Sequence, residues 1–270
     1  MEQTVAQRYG RRWSAGAAVR AERFADMSRP AWVAVAAATG IGPGQRLLDV
    51  GCGSGEFGRL AADRGAEVAG IDAATGMIEL AGDLLPDADL RVGTLEDLPW
   101  ANGSFDVVTG FNAYQFAPDL LAALTEAGRV TRPGGRVAVC NWGPLEQCEL
   151  VTVVRALEHL QPEPPLVPRR NLGDPGVLDE QMRAAGLRPL HGALVDVPYL
   201  APDTPTLVRD LLSAGNTRPA VDHSGFAAVR AALIDAAAPF RRADGSYLFR
   251  NTYRYLVSAT PGSAAGRPGP

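Results

Sequence analysis

Ten consecutive residues, Leu47-Leu48-Asp49-Val50-Gly51-Cys52-Gly53-Ser54-Gly55-Glu56, constrain this chain more than any other stretch. An apolar strand pattern runs into three alternating glycines, and a helix-forming segment follows. Glycine lets a backbone turn sharply and approach a ligand closely, because no Cβ stands in the way. The helix that follows offers free N–H groups and a partial positive charge at its start. A glycine turn alone is a weak signal, since an ordinary strand–helix connection also uses one.

The surrounding pattern supplies context. The apolar run at residues 46–50 suits a central parallel strand covered on both faces. Helix is then predicted over 56–64, 75–82 and 120–130, and strand over 67–71, 90–93, 105–109 and 136–141, with Pro133-Gly134-Gly135 as a turn. Upstream, residues 17–27 read as an amphipathic helix. A second helix is signalled by Ser28 as N-cap, Pro30 in the first turn and Gly40 at the end. Beyond Trp142 the pattern loosens into helices at 144–160, 174–185, 204–213 and 225–237. Strands at 190–197 and 247–258 complete it, the last a single long strand. Regular strand–helix alternation predicts an α/β fold: a Rossmann-like, doubly wound, mostly parallel sheet with a terminal antiparallel strand. Ligands in such sheets sit at the carboxyl ends of the strands.

Asp72 ends the second strand, close to where an acid reaches a bound ribose. Its plain alternative is a helix-capping or solvent-facing acid. A dinucleotide fingerprint wants Gly or Ala three residues after Gly53, and this chain has Glu56 there. A charged side chain at that packing position argues against a diphosphate-binding loop.

Several ordered motifs at matching spacing then make the chain resemble the class I S-adenosylmethionine-dependent methyltransferases, in their ubiquinone/menaquinone-biosynthesis-like small-molecule branch. The resemblance runs from about Arg46 to Trp142 and rests on LLDVGCGSG, GIDAATGMIELA, GTLEDLPWANGSFDVVTGFNAYQF and RPGGRVAV. It implies S-adenosyl-L-methionine as cofactor. It also implies that Asp49, Gly51 and Gly53 surround the methionine part and ribose, and that Asp72 binds the ribose hydroxyls. Ala73 and Met77 would line the adenine, Leu95 and Glu96 would meet its edge, and Asn112 would lie near the sulfonium. Where the family often has Asp, this chain has Thr94, so a bond to the adenine amine is weaker or supplied differently; Trp100 replaces a common Phe. The implied organisation is an N-terminal helical lid at 1–40, a cofactor-binding core at 41–142, and substrate-cap insertions with completion of the sheet at 143–260. A Gly/Pro/Ser/Ala-rich tail, disordered in expectation, fills 261–270.

Methyl transfer from a sulfonium is an in-line displacement that depends mainly on alignment in a dry pocket, and a general base is optional. Base candidates therefore come from outside the core motifs. His223 lies in a loop-like stretch, with a surface or capping role as its alternative. His159 at a helix end and His191 at a strand start are weaker. Tyr9 and Trp13 belong to the lid, and Tyr114 and Gln115 follow Asn112 towards the methyl-transfer channel. Packing is the alternative for the aromatic residues. The catalytic candidates are therefore His223, Tyr9 and Tyr114.

Composition narrows partners and compartment. There is no lysine among the 26 basic residues, which excludes a lysine nucleophile. A net charge of −4 gives no footprint for nucleic acid. The longest apolar run, 31–41, is too short to span a bilayer, so no membrane is expected. Three cysteines without metal-ligand spacing fit a reducing cytoplasm, and no metal is expected. The expected partner is a small-molecule methyl acceptor, methylated on O, N or C in bacterial biosynthetic metabolism. The alternative is a methyltransferase-like enzyme that uses the bound cofactor for a non-methylating step such as cyclisation. Oligomeric state is not legible.

Overall fold

The computed structural model describes residues 4–162, 166–168 and 170–262. Helices α1 (Val5–Ser14), α2 (Ala17–Arg23) and α3 (Ala25–Thr39) precede the sheet. Strand β1 (Arg46–Val50), helix α4 (Glu56–Ala62), strand β2 (Glu67–Asp72), helix α5 (Thr75–Leu84) and strand β3 (Asp89–Val92) follow. Strand β4 (Phe105–Phe111), helix α6 (Leu120–Val130) and strand β5 (Thr131–Trp142) close the alternating part. Then come α7 (Glu149–Arg155), α8 (Val177–Ala184), β6 (Arg188–Asp196) and β7 (Tyr199–Ala201). The chain continues through α9 (Thr204–Leu212), α10 (Arg218–Ser224), α11 (Phe226–Ala237), β8 (Tyr247–Phe249) and β9 (Thr252–Ala259).

Seven strands form one sheet in the order β3-β2-β1-β4-β5-β9-β6. All neighbours from β3 to β5 pair parallel, and β9 inserts antiparallel between β5 and β6. The sheet is therefore Rossmann-like and mixed, with one antiparallel strand. Successive strand residues feed opposite cores. Leu47, Val107 and Cys140 join α3, α4, α7 and α11 on one face. Leu48, Val108 and Val139 join α6 and α8 on the other. Burial on both faces explains why the central strands read as continuous apolar runs.

Local chemistry sets several boundaries. Gly40 takes the left-handed conformation (φ 70°) after α3, its N–H reaching the Ala36 and Ala37 carbonyls. Asp119 caps α6, its Oδ1 accepting from the Ala122 N–H at 3.0 Å. Thr4 and Gln7 form a reciprocal capping box that starts α1.

The structure corrects four expectations. Helix α3 begins at Ala25 rather than Ser28, because α2 runs into it through Phe24 in a helical conformation; Pro30 lies inside it. The turn at Pro133-Gly134-Gly135 is a bulge within β5, between the pairs Phe105↔Thr131 and Val107↔Arg136. The helix over 144–160 is interrupted, α7 being flanked by 3-10 turns at Leu145–Gln147 and Glu158–Leu160. The single strand over 247–258 is two: β8 leaves the main sheet to pair with β7, and only β9 stays. Of the proposed tail, residues 263–270 lie outside the described residues.

Buried Asn251 accounts for the last two breaks. Its Oδ1 accepts from the Leu150 N–H at 2.9 Å, and its Nδ2 donates to the Val197 and Phe249 carbonyls at 3.4 and 3.3 Å. One amide thus fixes the start of α7, the β6–β7 turn and the β8–β9 break. Asn251→Ala is expected to lose roughly 1–3 kcal/mol in urea denaturation, because it strands buried polar groups; an unchanged midpoint contradicts that role.

Candidate functional site

Strand β1 ends in a loop tied to its neighbour. The N–H groups of Gly51 and Cys52 both donate to the Ile71 carbonyl, at 2.7 and 3.0 Å. Gly51 has φ 71°, and a Cβ there would stand 2.3 Å from the Ala113 Cβ, so the backbone passes where no side chain fits. Gly53, at φ 55°, faces open space and donates its N–H to Asp72 Oδ2 at 3.0 Å. The Ala74 N–H donates to Asp72 Oδ1 at 2.8 Å. Both oxygens of Asp72 are thereby oriented.

Three carboxylates gather at this end of the sheet. Burial raises the Asp72 carboxyl above its usual range, against the opposing backbone hydrogen bonds from Ala74, Gly53 and Ala73. Asp49 is pushed up to about 7, mainly by burial, while the Thr109 hydroxyl bond lowers it and the charges of Asp72 and Glu56 raise it further. That hydroxyl donates to Asp49 Oδ1 at 2.7 Å. Glu56 Oε1 accepts from the Ser54 hydroxyl at 2.6 Å. Burial raises the Cys52 thiol as well, which leaves it inert as a nucleophile.

A cavity of about 390 Å³ opens above these groups. Asp49, Gly51, Gly53, Asp72, Ala73, Met77, Leu95 and Asn112 all line it. Glu96 does not line it, and its carboxylate accepts from the Asp119 N–H at 3.4 Å. Asn112 adopts a left-handed φ of 51°, which Asn tolerates better than most residues. Its N–H donates to the Cys140 carbonyl at 2.8 Å and its Oδ1 accepts from the Trp142 N–H at 3.0 Å, pinning the tips of β4 and β5 together.

Helix α1, expected to act as a lid, forms one wall. Tyr9 and Trp13 line the cavity and pack on Phe116, with ring centroids 5.2 and 5.6 Å away. Of the three catalytic candidates, Tyr9 is the one brought to the cavity. His223 sits exposed in the last turn of α10, which the sequence shows as loop-like, and does not line the cavity. Tyr114 is fully buried behind the wall with its hydroxyl unpartnered. Burial and the Asp49 charge raise its phenol. His159 and His191 are exposed and stand off the cavity too.

Residues without an expected site role complete the wall. Phe111 and Trp142 stand at strand tips, where position alone could have marked them. Phe24, Tyr253, Arg155 and Asn216 come from segments whose place at the cavity only the tertiary fold sets. Among the described residues no helix is long and apolar enough to cross a membrane.

The family described as a methyltransferase domain matches residues 48–139. A demethylmenaquinone methyltransferase of Renibacterium salmoninarum is 34% identical over 155 residues, 54% of this chain and 62% of the relative. A malonyl-[acyl-carrier protein] O-methyltransferase of Serratia marcescens is 40% identical over 93 residues, 34% of this chain and 36% of the relative. The chain thus spans about half the length of the curated relatives it matches. Among solved structures, the [4+2]-cyclase SpnF superposes with a TM-score of 0.57 at 22% identity, over 86% of this chain and 81% of that one. That likeness is one of fold.

The raised Asp49 has a consequence for stability. The folded chain keeps this proton up to about pH 7, while an unfolded carboxyl releases it near 3.8. The contribution is therefore most favourable below the unfolded value and declines as pH rises to about 7. Asp49→Asn is expected to gain stability relative to wild type across that window, by on the order of a few kcal/mol. Urea titrations between pH 4 and 7 check this, and a pH-independent difference contradicts it.

Proposed function

We infer that this chain, which carries a class I methyltransferase domain of the quinone-biosynthesis-like branch, binds S-adenosyl-L-methionine and transfers its methyl group to a small-molecule acceptor in bacterial biosynthetic metabolism. The observation that carries this reading is the grouping of Asp49, Glu56 and Asp72 around a glycine-lined loop. Three carboxylates repel a diphosphate and suit a ligand that brings positive charge and hydroxyl donors. S-adenosylmethionine has both, in its sulfonium, ammonium and ribose.

When bound, this cofactor supplies an electrophilic methyl group on a sulfonium. The chain's own residues would hold and align it. Asp72, its two oxygens already oriented by backbone N–H groups, would accept the ribose hydroxyls. Asp49 would face the cationic methionine part, with Gly51 and Gly53 allowing close approach of the backbone. Ala73 and Met77 would line the adenine, with Leu95 at its edge, and Asn112 would mark the end nearest the sulfonium. Tyr9, from the lid, would close the site against water and touch the acceptor.

No histidine lines the cavity among the described residues. This favours an acceptor that is already nucleophilic, an amine or an ionised oxygen or carbon acid, over one that needs a strong base. A cavity covered by α1 and the cap favours a small molecule over a polymer. Two of the relatives are named for acting on demethylmenaquinone and on a malonyl-acyl-carrier protein, which supports a biosynthetic setting. A reaction that keeps the cofactor whole, such as a cyclisation, would use the same site, and the fold is shared with a cyclase.

Calorimetry with S-adenosylmethionine tests the assignment. Wild type is expected to bind, and Asp72→Ala to weaken binding by roughly 1.5–3 kcal/mol, the worth of a charge-assisted hydrogen bond. No affinity in wild type at millimolar cofactor overturns it. Incubation with candidate acceptors then separates the two reactions, since only methyl transfer yields S-adenosylhomocysteine.

A further inference from the structure

Charge on the cavity wall is divided. Among the described lining residues, the acids Asp49, Glu56 and Asp72 belong to the strand ends and the start of α4, whereas the bases Arg12, Arg155 and Arg170 come from the lid and the cap. Arg170 is committed to backbone, its Nη1 and Nη2 donating to the Ala117 and Pro118 carbonyls at 2.7 and 3.2 Å. Arg155, the last residue of α7, is different. It is half-buried, its Nε is closed off from solvent without a partner, and it makes no hydrogen bond or ion pair within the described residues. Asn216 Oδ1, on the same cavity wall, is likewise buried and unpartnered.

A guanidinium nitrogen closed off from water without a partner is costly unless something else satisfies it. Much of the cavity lining is apolar, Val154, Trp142, Phe111 and Tyr253 among it. We propose that Arg155 is the anion anchor of the acceptor pocket, so that the acceptor is an apolar organic acid whose carboxylate or similar planar anion seats on this guanidinium. Asn216 takes a donor group of the same molecule. This rests on the reading of the cavity as a methyl-transfer site.

The fork of donors on a guanidinium matches a carboxylate in geometry, and the bond is charge-assisted. The anchored anion is not the attacking atom. A cation seated on an oxyanion draws electron density from it and weakens it as a nucleophile, so the reacting atom belongs to another part of the acceptor. The carboxylates at the strand ends then hold one reactant of the cavity and the arginine of the cap the other.

The test uses two probes of equal shape, 2-naphthoate and 2-naphthamide, titrated calorimetrically into the full chain with and without saturating S-adenosylhomocysteine. Wild type is expected to bind the carboxylate about 10-fold or more tightly than the amide, as a charge-assisted hydrogen bond implies. Arg155→Gln is expected to bind both alike, and Arg155→Lys to retain part of the preference. Unchanged naphthamide and S-adenosylhomocysteine affinities in Arg155→Gln show that the variant is folded. An anion preference that survives Arg155→Gln overturns the proposal, as does a wild type that does not bind naphthoate. Absence of S-adenosylhomocysteine binding in wild type instead defeats the cofactor assignment, while the naphthoate pair still decides the role of Arg155.

Discussion

The carbonyl of Ile71 accepts two consecutive backbone N–H groups, from Gly51 at 2.7 Å and Cys52 at 3.0 Å. That double acceptance turns the chain at the tip of β1 and holds the turn against the tip of β2. Two further contacts complete the placement. Gly51 passes beside Ala113 where a Cβ would collide, and Gly53 hands its N–H to Asp72. The floor of the cavity is therefore one rigid body made from the tips of β1, β2 and β4. Each loop is shaped by its neighbours and none would hold this form alone. A left-handed residue at three positions, Gly51, Gly53 and Gly55, is the backbone condition for it.

Rigidity at the floor makes its electrostatics possible. A flexible loop would let Asp49 and Asp72 reach solvent or separate. Held in place, both are buried, and burial raises both carboxyl groups. The free chain carries this as a stability penalty near neutral pH. A cation entering the cavity would reverse it by favouring the charged form, so part of the folding penalty reappears as binding selectivity. The site discriminates by charge sign before any detailed contact is made.

Legibility in the sequence follows how local each cause is. Strand β1, the left-handed Gly40 and helix α6 with its Asp119 cap are set by residues within a few positions of each other, and all three are readable. Asp72 is readable because strand–turn–helix spacing puts it at a strand tip. Asn251 is not readable: its partners Leu150 and Val197 are 101 and 54 residues away, and the breaks it imposes on α7 and β9 contradict local propensity. His223 misleads for the opposite reason. The Asp222-His223-Ser224-Gly225 stretch looks like a loop, yet Gly225 ends a helix, and the imidazole turns out to solvent. Arg155 and Asn216 have no sequence signal, because what singles them out is the absence of a partner, which only tertiary structure defines.

Helix α1 meets the rest of the cavity wall through small residues. Helix α1 rests on the segment after β2 through Gly10, where a Cβ would stand 2.1 Å from the Ala73 carbonyl oxygen. Ser14 then bridges the two: its hydroxyl donates to the Gly10 carbonyl at 2.8 Å and accepts from the Gly76 N–H at 3.2 Å. Farther along, Gly16 meets the Ser213 backbone and Gly215 meets the Trp13 ring, each closer than any side chain would allow. The lid thus touches both the floor, through Ala73 and Gly76, and the cap, through Ser213 and Gly215. Since Ala73 directly follows Asp72, the position of α1 is coupled to the carboxylate that would hold the ribose. A ligand seated on Asp72 would therefore also meet the segment on which α1 rests, while α1 holds Tyr9 at the cavity wall. Floor and roof are linked through residues 72–76 and through Phe116, on which Tyr9 and Trp13 pack.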